Sequence, residues 1–116
     1  MATKNEREPF TRISVAEAKE KLDAGSAVMV DVREPGEYID FHAKDVRLIP
    51  VNTVMSEVKQ IRDYADGKEV LFICKTGARS ALAAEFATAA GLDELQLFNV
   101  EGGTLAWVDA GYPTGD

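Results

Sequence analysis

The sequence predicts an α/β domain in which a central parallel sheet is flanked by helices on both faces, and three observations carry that expectation. Short apolar or β-branched runs alternate along the chain with stretches of helical spacing, the order in which parallel strands and their covering helices occur. The run Val70-Leu71-Phe72-Ile73 contains no polar residue, as befits a central strand buried on both faces. Residues 80–90, which follow it closely, are dominated by alanine and stop at Gly91, the pattern of a helix packed tightly on a sheet.

The remaining elements follow from local signals. Residues 1–9 form a polar, flexible lead, and a single domain occupies residues 10–116. Ser14-Val15-Ala16-Glu17 matches a capping box that opens a helix, and Gly25 closes it. Residues 27–32, Ala-Val-Met-Val-Asp-Val, spell a buried strand, Pro35-Gly36 breaks the chain, and Leu48-Ile49-Pro50-Val51 gives a shorter strand. Val54, Met55, Val58, Ile61 and Arg62 recur at helical spacing up to Gly67, with the Met and Ile stripe read as core packing. Leu95-Gln96-Leu97-Phe98 is a further strand, and the turn Glu101-Gly102-Gly103 leads into a last short helix carrying Trp107.

Composition narrows the class. A chain of 116 residues suits one domain with one core, and 46% hydrophobic with 28% charged residues is ordinary for a soluble globular protein. A single cysteine rules out an internal disulfide framework and points to a reducing compartment. No apolar stretch is long enough to span a membrane and the N-terminus lacks a signal-peptide core, so a cytoplasmic location is expected. The formal charge of -7 argues against nucleic acid or an acidic membrane surface as partner. Lys75 and Arg79 oppose that sign locally, beside the only cysteine.

That cysteine opens the segment Cys74-Lys75-Thr76-Gly77-Ala78-Arg79-Ser80, at a strand-to-helix turn. Backbone N–H groups of a short glycine-containing loop can curl around the sulfur while the positive end of the next helix points at it, which stabilises a thiolate or a sulfur anion attached to it. Covalent catalysis at sulfur is the chemistry this suggests. The bland alternative is an inert core thiol, as lone cysteines often are. The glycine and two cations at loop spacing weigh against it. Asp31 and Arg33 stand at the carboxyl end of a neighbouring strand, where sites of open α/β sheets form. Asp31 is expected to accept hydrogen bonds that hold adjacent loops, including one from Arg33, so that Asp31→Asn lowers stability or activity modestly. His42, the only histidine, reads as a surface or hydrogen-bonded residue and is not expected to act as a general base, since a thiol activated by its cradle needs no His-Asp pair.

Taken together, Asp31-Val32-Arg33-Glu34 with Glu37-Tyr38, Ile49-Pro50, the loop Cys74 to Ser80, Gly102-Gly103 with Trp107, and Gly111-Tyr112-Pro113 resemble the single-domain rhodaneses. The resemblance implies a two-step transfer. Cys74 takes the outer sulfur of a donor such as thiosulfate, becomes a persulfide cradled by residues 75–80, and passes the sulfur to cyanide or a thiol, with no metal or organic cofactor. Arg79 would face the donor's sulfonate and Lys75 would add charge at the mouth. A basic residue after the cysteine resembles the thiosulfate type more than the mercaptopyruvate type. A second expectation is a persulfide relay that hands sulfur to a partner protein. A third is cysteine-phosphatase or arsenate-reductase chemistry, whose signature has five residues between Cys and Arg where this chain has the four from Lys75 to Ala78. Where the family has a Gly-His-Ile-x-Gly-Ala run, this chain reads Phe41-His42-Ala43-Lys44-Asp45-Val46, keeping the histidine and replacing both glycines.

Overall fold

A computed structural model describes residues 2–115. Within them, six strands form one sheet: β1 (Thr3–Lys4), β2 (Thr11–Ile13), β3 (Ala27–Asp31), β4 (Arg47–Leu48), β5 (Glu69–Ile73) and β6 (Leu97–Val100). Their spatial order is β1-β2-β6-β5-β3-β4. Every neighbouring pair is parallel except β1 with β2. The helices are α1 (Val15–Asp23), α2 (Pro35–Asp40), α3 (Val58–Ala65), α4 (Ala78–Ala89) and α5 (Gly103–Asp109), with a 3-10 helix over Val51–Glu57.

The apolar run of β5 splits by the two-residue period of a strand. Val70 and Phe72 join Ile61, Ala83, Ala84 and Ala87 in a core under α3 and α4. Leu71 and Ile73 join Ala18, Phe98, Val100 and Trp107 in a second core under α1 and α5. Helices therefore cover both faces, as expected. The alanines of α4 are what let that helix lie close to the sheet, since three of them are fully buried without projecting past the β-carbon. The capping box forms as read: the Glu17 N–H donates to Ser14 Oγ at 3.1 Å and the Ser14 N–H to Glu17 Oε1 at 3.0 Å. Gly25 follows the end of α1 with φ +73°.

Several boundaries differ from the sequence expectation, each for a local reason. The stretch expected to be a flexible lead carries β1, which pairs antiparallel with β2. Pro35 opens α2 instead of breaking the chain, because a proline in the first helical turn gives up an N–H that has no partner there anyway. The short strand ends at Leu48. The Ile49 and Val51 N–H groups still reach the carbonyls of Asp31 and Val32 at 2.8 and 2.9 Å, but Pro50 between them cannot donate and the chain turns into the 3-10 helix. Met55 lies in that helix and is 51% exposed, so it leaves the stripe that Val54, Val58 and Ile61 bury. The last strand starts two residues later than expected and runs through Asn99, whose polar side chain is fully buried. Among the described residues no helix is long and apolar enough to cross a membrane.

Behind the carboxyl end of β3 lies an ion pair with both side chains out of water, Asp31 at 0% and Arg33 at 2% exposure. Asp31 Oδ1 accepts from the Arg33 backbone N–H and from Nε, both at 3.0 Å, and Oδ2 accepts from Nη2 at 2.9 Å. Arg33 Nη2 also donates to the Phe41 carbonyl at 2.7 Å, which ties the end of β3 to the end of α2. Asp31 accepts the hydrogen bonds from Arg33 that the sequence led one to expect, and the burial of both side chains raises the cost expected on breaking them. Asp31→Ala would strand a buried guanidinium, and we expect a loss of about 3–5 kcal/mol in urea unfolding; a loss below about 1 kcal/mol would show that Arg33 re-pairs at little cost.

Candidate active site

The carboxyl end of β5 delivers Cys74, and the first turn of α5 clamps the chain just after it. The Cys74 carbonyl accepts from the Thr104 N–H at 2.8 Å and from Thr104 Oγ1 at 3.0 Å. The Leu105 N–H reaches the Lys75 carbonyl at 3.2 Å, and the Gly102 N–H reaches the Thr76 carbonyl at 3.2 Å. This contact demands glycine at residue 103. A β-carbon there would sit 2.5 Å from the Cys74 carbonyl oxygen and would collide with the Lys75 carbonyl as well, and φ is +60°. Trp107, buried on the same helix, donates through Nε1 to the Pro113 carbonyl at 2.8 Å and packs edge-on to Tyr112.

The loop itself is shorter than its sequence suggested, because α4 begins at Ala78 and takes Arg79 and Ser80 into its first turn. Gly77 makes the turn with φ +123°. Its N–H points at Cys74 Sγ from 3.1 Å, and the Ser80 hydroxyl lies 3.4 Å from the same atom. Cys74 is 1% exposed. Burial pushes its thiol up, but the Ser80 hydroxyl and the backbone N–H groups of Ser80, Gly77 and Thr76 outweigh that, and the net shift is below the ordinary thiol value. Lys75, Thr76 and Ala78 are exposed around this cradle. Of the sequence-predicted loop residues, Thr76, Gly77 and Ser80 turn donors toward the sulfur, whereas Lys75, Ala78 and Arg79 make no hydrogen bond to it among the described residues.

Arg79 is engaged elsewhere. Its Nη1 and Nη2 donate to Glu37 Oε2 and Oε1 of α2 at 2.7 and 2.9 Å. That bidentate pairing holds the Glu37 carboxyl at about 2, against the opposing effect of burial. It also raises Arg79. Glu37 further accepts the Glu34 N–H at 3.0 Å and so caps its own helix. Asp31 and Arg33 stand behind this pair, and none of their hydrogen bonds reaches Cys74. His42 stacks on Tyr38 with ring centres 3.7 Å apart, its Nδ1 lying 2.7 Å from the Tyr38 carbonyl oxygen. Of the two replaced glycines, Asp45 adopts a left-handed φ of +62°, whereas Phe41 is extended at -170° and needs no glycine.

Three functional neighbours were not singled out from the sequence. Thr104 follows the Gly-Gly turn, where a hydroxyl at a helix start is a common cap and gives little warning of a role under a thiol. Asn99 and Glu101 continue a polar line from Ser80: the Ser80 hydroxyl donates to Asn99 Oδ1, Asn99 Nδ2 donates to Glu101 Oε2, and Arg12 Nη1 lies 3.2 Å from both Glu101 oxygens. The signal for Asn99 was an amide in an otherwise apolar strand.

Residues 14–110 match the model of the rhodanese-like domain. The chain belongs to the rhodanese-like family. An uncharacterized protein of Synechocystis is 34% identical over 90 residues, which are 77% of this chain and 47% of that one, so the chain spans about half the length of this relative. Among solved structures, a Rhodopseudomonas palustris protein of unknown function, described as a possible tyrosine phosphatase, is 30% identical at a TM-score of 0.72, covering 90% of this chain and 83% of that one. The thiosulfate sulfurtransferase of Pseudomonas aeruginosa superposes at 0.79 over 90% of this chain and 20% of its own, at 22% identity, a likeness of fold.

Gly103→Ala should destabilise the domain by about 2–3 kcal/mol or displace the loop, and slower alkylation of Cys74 in the folded variant would reveal the second route. Wild-type stability and alkylation rate together would mean that the two backbones separate freely. The Glu37–Arg79 pair has a lowered carboxyl, so its contribution is complete above the usual carboxylate range and is lost as pH falls toward about 2. Glu37→Gln should therefore cost up to about 1 kcal/mol at neutral pH, with the two unfolding curves converging on acidification; a gap that stays constant with pH would contradict this origin.

Proposed function

We propose that this protein is a persulfide-forming sulfurtransferase with Cys74 as its nucleophile. The observation that carries this reading is the cradle: a buried sulfur facing converging N–H donors and a serine hydroxyl, with its pKa drawn down in spite of burial. Membership of the rhodanese-like family supports it.

With thiosulfate as donor, the Cys74 thiolate attacks the outer sulfur. A new sulfur–sulfur bond forms, the donor's own sulfur–sulfur bond breaks, and sulfite leaves with the electron pair. The terminal sulfur of the persulfide carries the negative charge, and the N–H groups of Thr76, Gly77 and Ser80 would stabilise it as they stabilise the thiolate. Cyanide or a thiolate then attacks that terminal sulfur, and Cys74 leaves as thiolate, restoring the start. No proton relay is required, which agrees with a His42 engaged by Tyr38. Lys75 is exposed and makes no ion pair among the described residues, so it would be the cation that meets an anionic donor. Arg79 would contribute less than its charge suggests, because Glu37 already neutralises it. Thiol chemistry of this kind suits a reducing compartment such as the cytoplasm.

Delivery of sulfur to a protein thiol is a second reading, favoured by a specific observation. Ile39 is 79% exposed, and Met55, Leu82 and Leu105 are also exposed, each on an element that leaves the carboxyl edge of the sheet where Cys74 lies. Phosphatase chemistry fits less well. Only four residues separate Cys74 from Arg79, and a phosphoryl-binding arginine must turn onto the oxygens, whereas this guanidinium is spent on Glu37.

Intact mass tests the proposal. The reduced protein should gain one sulfur on exposure to thiosulfate, lose it to cyanide as thiocyanate, and show neither change as Cys74→Ala. Absence of any sulfur adduct on a Cys74 that still alkylates would reject thiosulfate as donor, and hydrolysis of a phosphate ester that depends on Cys74 would reject the class.

A further inference from the structure

The Ser80 hydroxyl owns one proton and has three acceptors in reach: Cys74 Sγ at 3.4 Å, the Gly77 carbonyl at 3.1 Å, and Asn99 Oδ1. Which of them receives it decides what the sulfur sees. If the proton goes to sulfur, a thiolate is stabilised; if it goes to Asn99, the serine oxygen turns a lone pair toward sulfur and favours the neutral thiol.

Asn99 is not free to choose. Ser80 and Asn99 are both fully buried, so the orientation of the amide is set by its partners alone. Glu101 accepts from Asn99 Nδ2, and an ionised carboxylate can only accept, so the nitrogen must face Glu101 and the amide oxygen must face Ser80. Arg12 from β2 donates to both Glu101 oxygens and is paired in turn with Glu8. The line from the surface thus has a fixed polarity as far as the amide: Arg12 and Asn99 both donate to Glu101, which leaves the Asn99 oxygen as an acceptor that draws on the same Ser80 proton as the sulfur.

We propose that Asn99 and Glu101 are positioning residues that hold back the ionisation of Cys74: charged Glu101 aligns the Asn99 amide, and the Asn99 oxygen competes with the sulfur for the single proton of Ser80. They touch no substrate and act entirely through Ser80. The other charges around the sulfur are Lys75 on its own loop, Arg79 of α4 with Glu37 of α2, and Asp31 with Arg33 at the end of β3; α5 offers only the uncharged Thr104. None of these charged groups hydrogen-bonds to Asn99, whose side-chain partners are Ser80 and Glu101. The inference rests on the reading of Cys74 as the reacting thiol. Its test uses no sulfur donor, so the two can fail separately.

The test is the pH profile of Cys74 alkylation by iodoacetamide on the full chain. Asn99→Leu changes no charge and should move the midpoint down by about 0.5–1 pH unit, the scale of one redistributed hydrogen bond. Glu101→Gln should move it the same way and add little on top of Asn99→Leu. Ser80→Ala should move it up, and in that background neither Asn99→Leu nor Glu101→Gln should shift it further. A midpoint that is unchanged or raised in Asn99→Leu would overturn the proposal. So would a Glu101→Gln shift that survives in Ser80→Ala, because removal of a charge would then account for it. Glu101 is partly exposed, so the Glu101→Gln and Ser80→Ala variants, alone and combined, decide between these outcomes even if Asn99→Leu does not fold.

Discussion

The approach of one backbone to another, Gly103 against the carbonyls of Cys74 and Lys75, is the constraint on which the rest of the site depends. Because residue 103 has no side chain, α5 can start close enough for Thr104 to donate twice to the Cys74 carbonyl. With that carbonyl held beneath the sheet end, the next N–H groups are left to turn the other way, toward the sulfur. The cradle is therefore made as much by β6 and the glycines after it as by the loop that carries the cysteine.

Around that backbone contact the protein arranges charge in three tiers. The innermost is uncharged apart from the sulfur: Ser80, Asn99 and Thr104, all buried and all hydrogen-bonded. A second tier consists of ion pairs that cancel, Asp31 with Arg33 in the interior and Glu37 with Arg79 nearer the surface. At the rim stands Lys75, a cation with no ion pair among the described residues. A thiolate here meets backbone N–H groups whose directions the fold fixes, with the Ser80 hydroxyl as the one donor free to turn.

Much of this was legible in the chain. The unbroken apolar run of β5, the alanines of α4 and the capping box of α1 each express a local rule that the tertiary structure obeys, and the Cys-to-Ser loop sits at the strand-to-helix turn where its composition put it. What was not legible depended on contacts between distant segments. Glu37 and Arg79 are 42 positions apart, and nothing in the spacing of either says that they meet. Asn99 interrupted an apolar pattern and so shortened the expected strand, because a buried amide is satisfied by partners that a one-dimensional pattern does not show. Pro35 was ambiguous for a related reason, since the same ring that ends one helix begins another.

The two outer strands of the sheet have a bearing on how the molecule behaves in a crowd. β1 and β4 are each two residues long, and each contains a basic residue, Lys4 or Arg47. A sheet that ends in such stubs offers a second chain almost no ladder to extend, and a positive charge beside what remains. The long, continuous pairing surfaces of β3, β5 and β6 are enclosed between them. Polymerisation edge to edge would first have to peel a stub away, so the arrangement protects solubility without spending any residue of the reactive end.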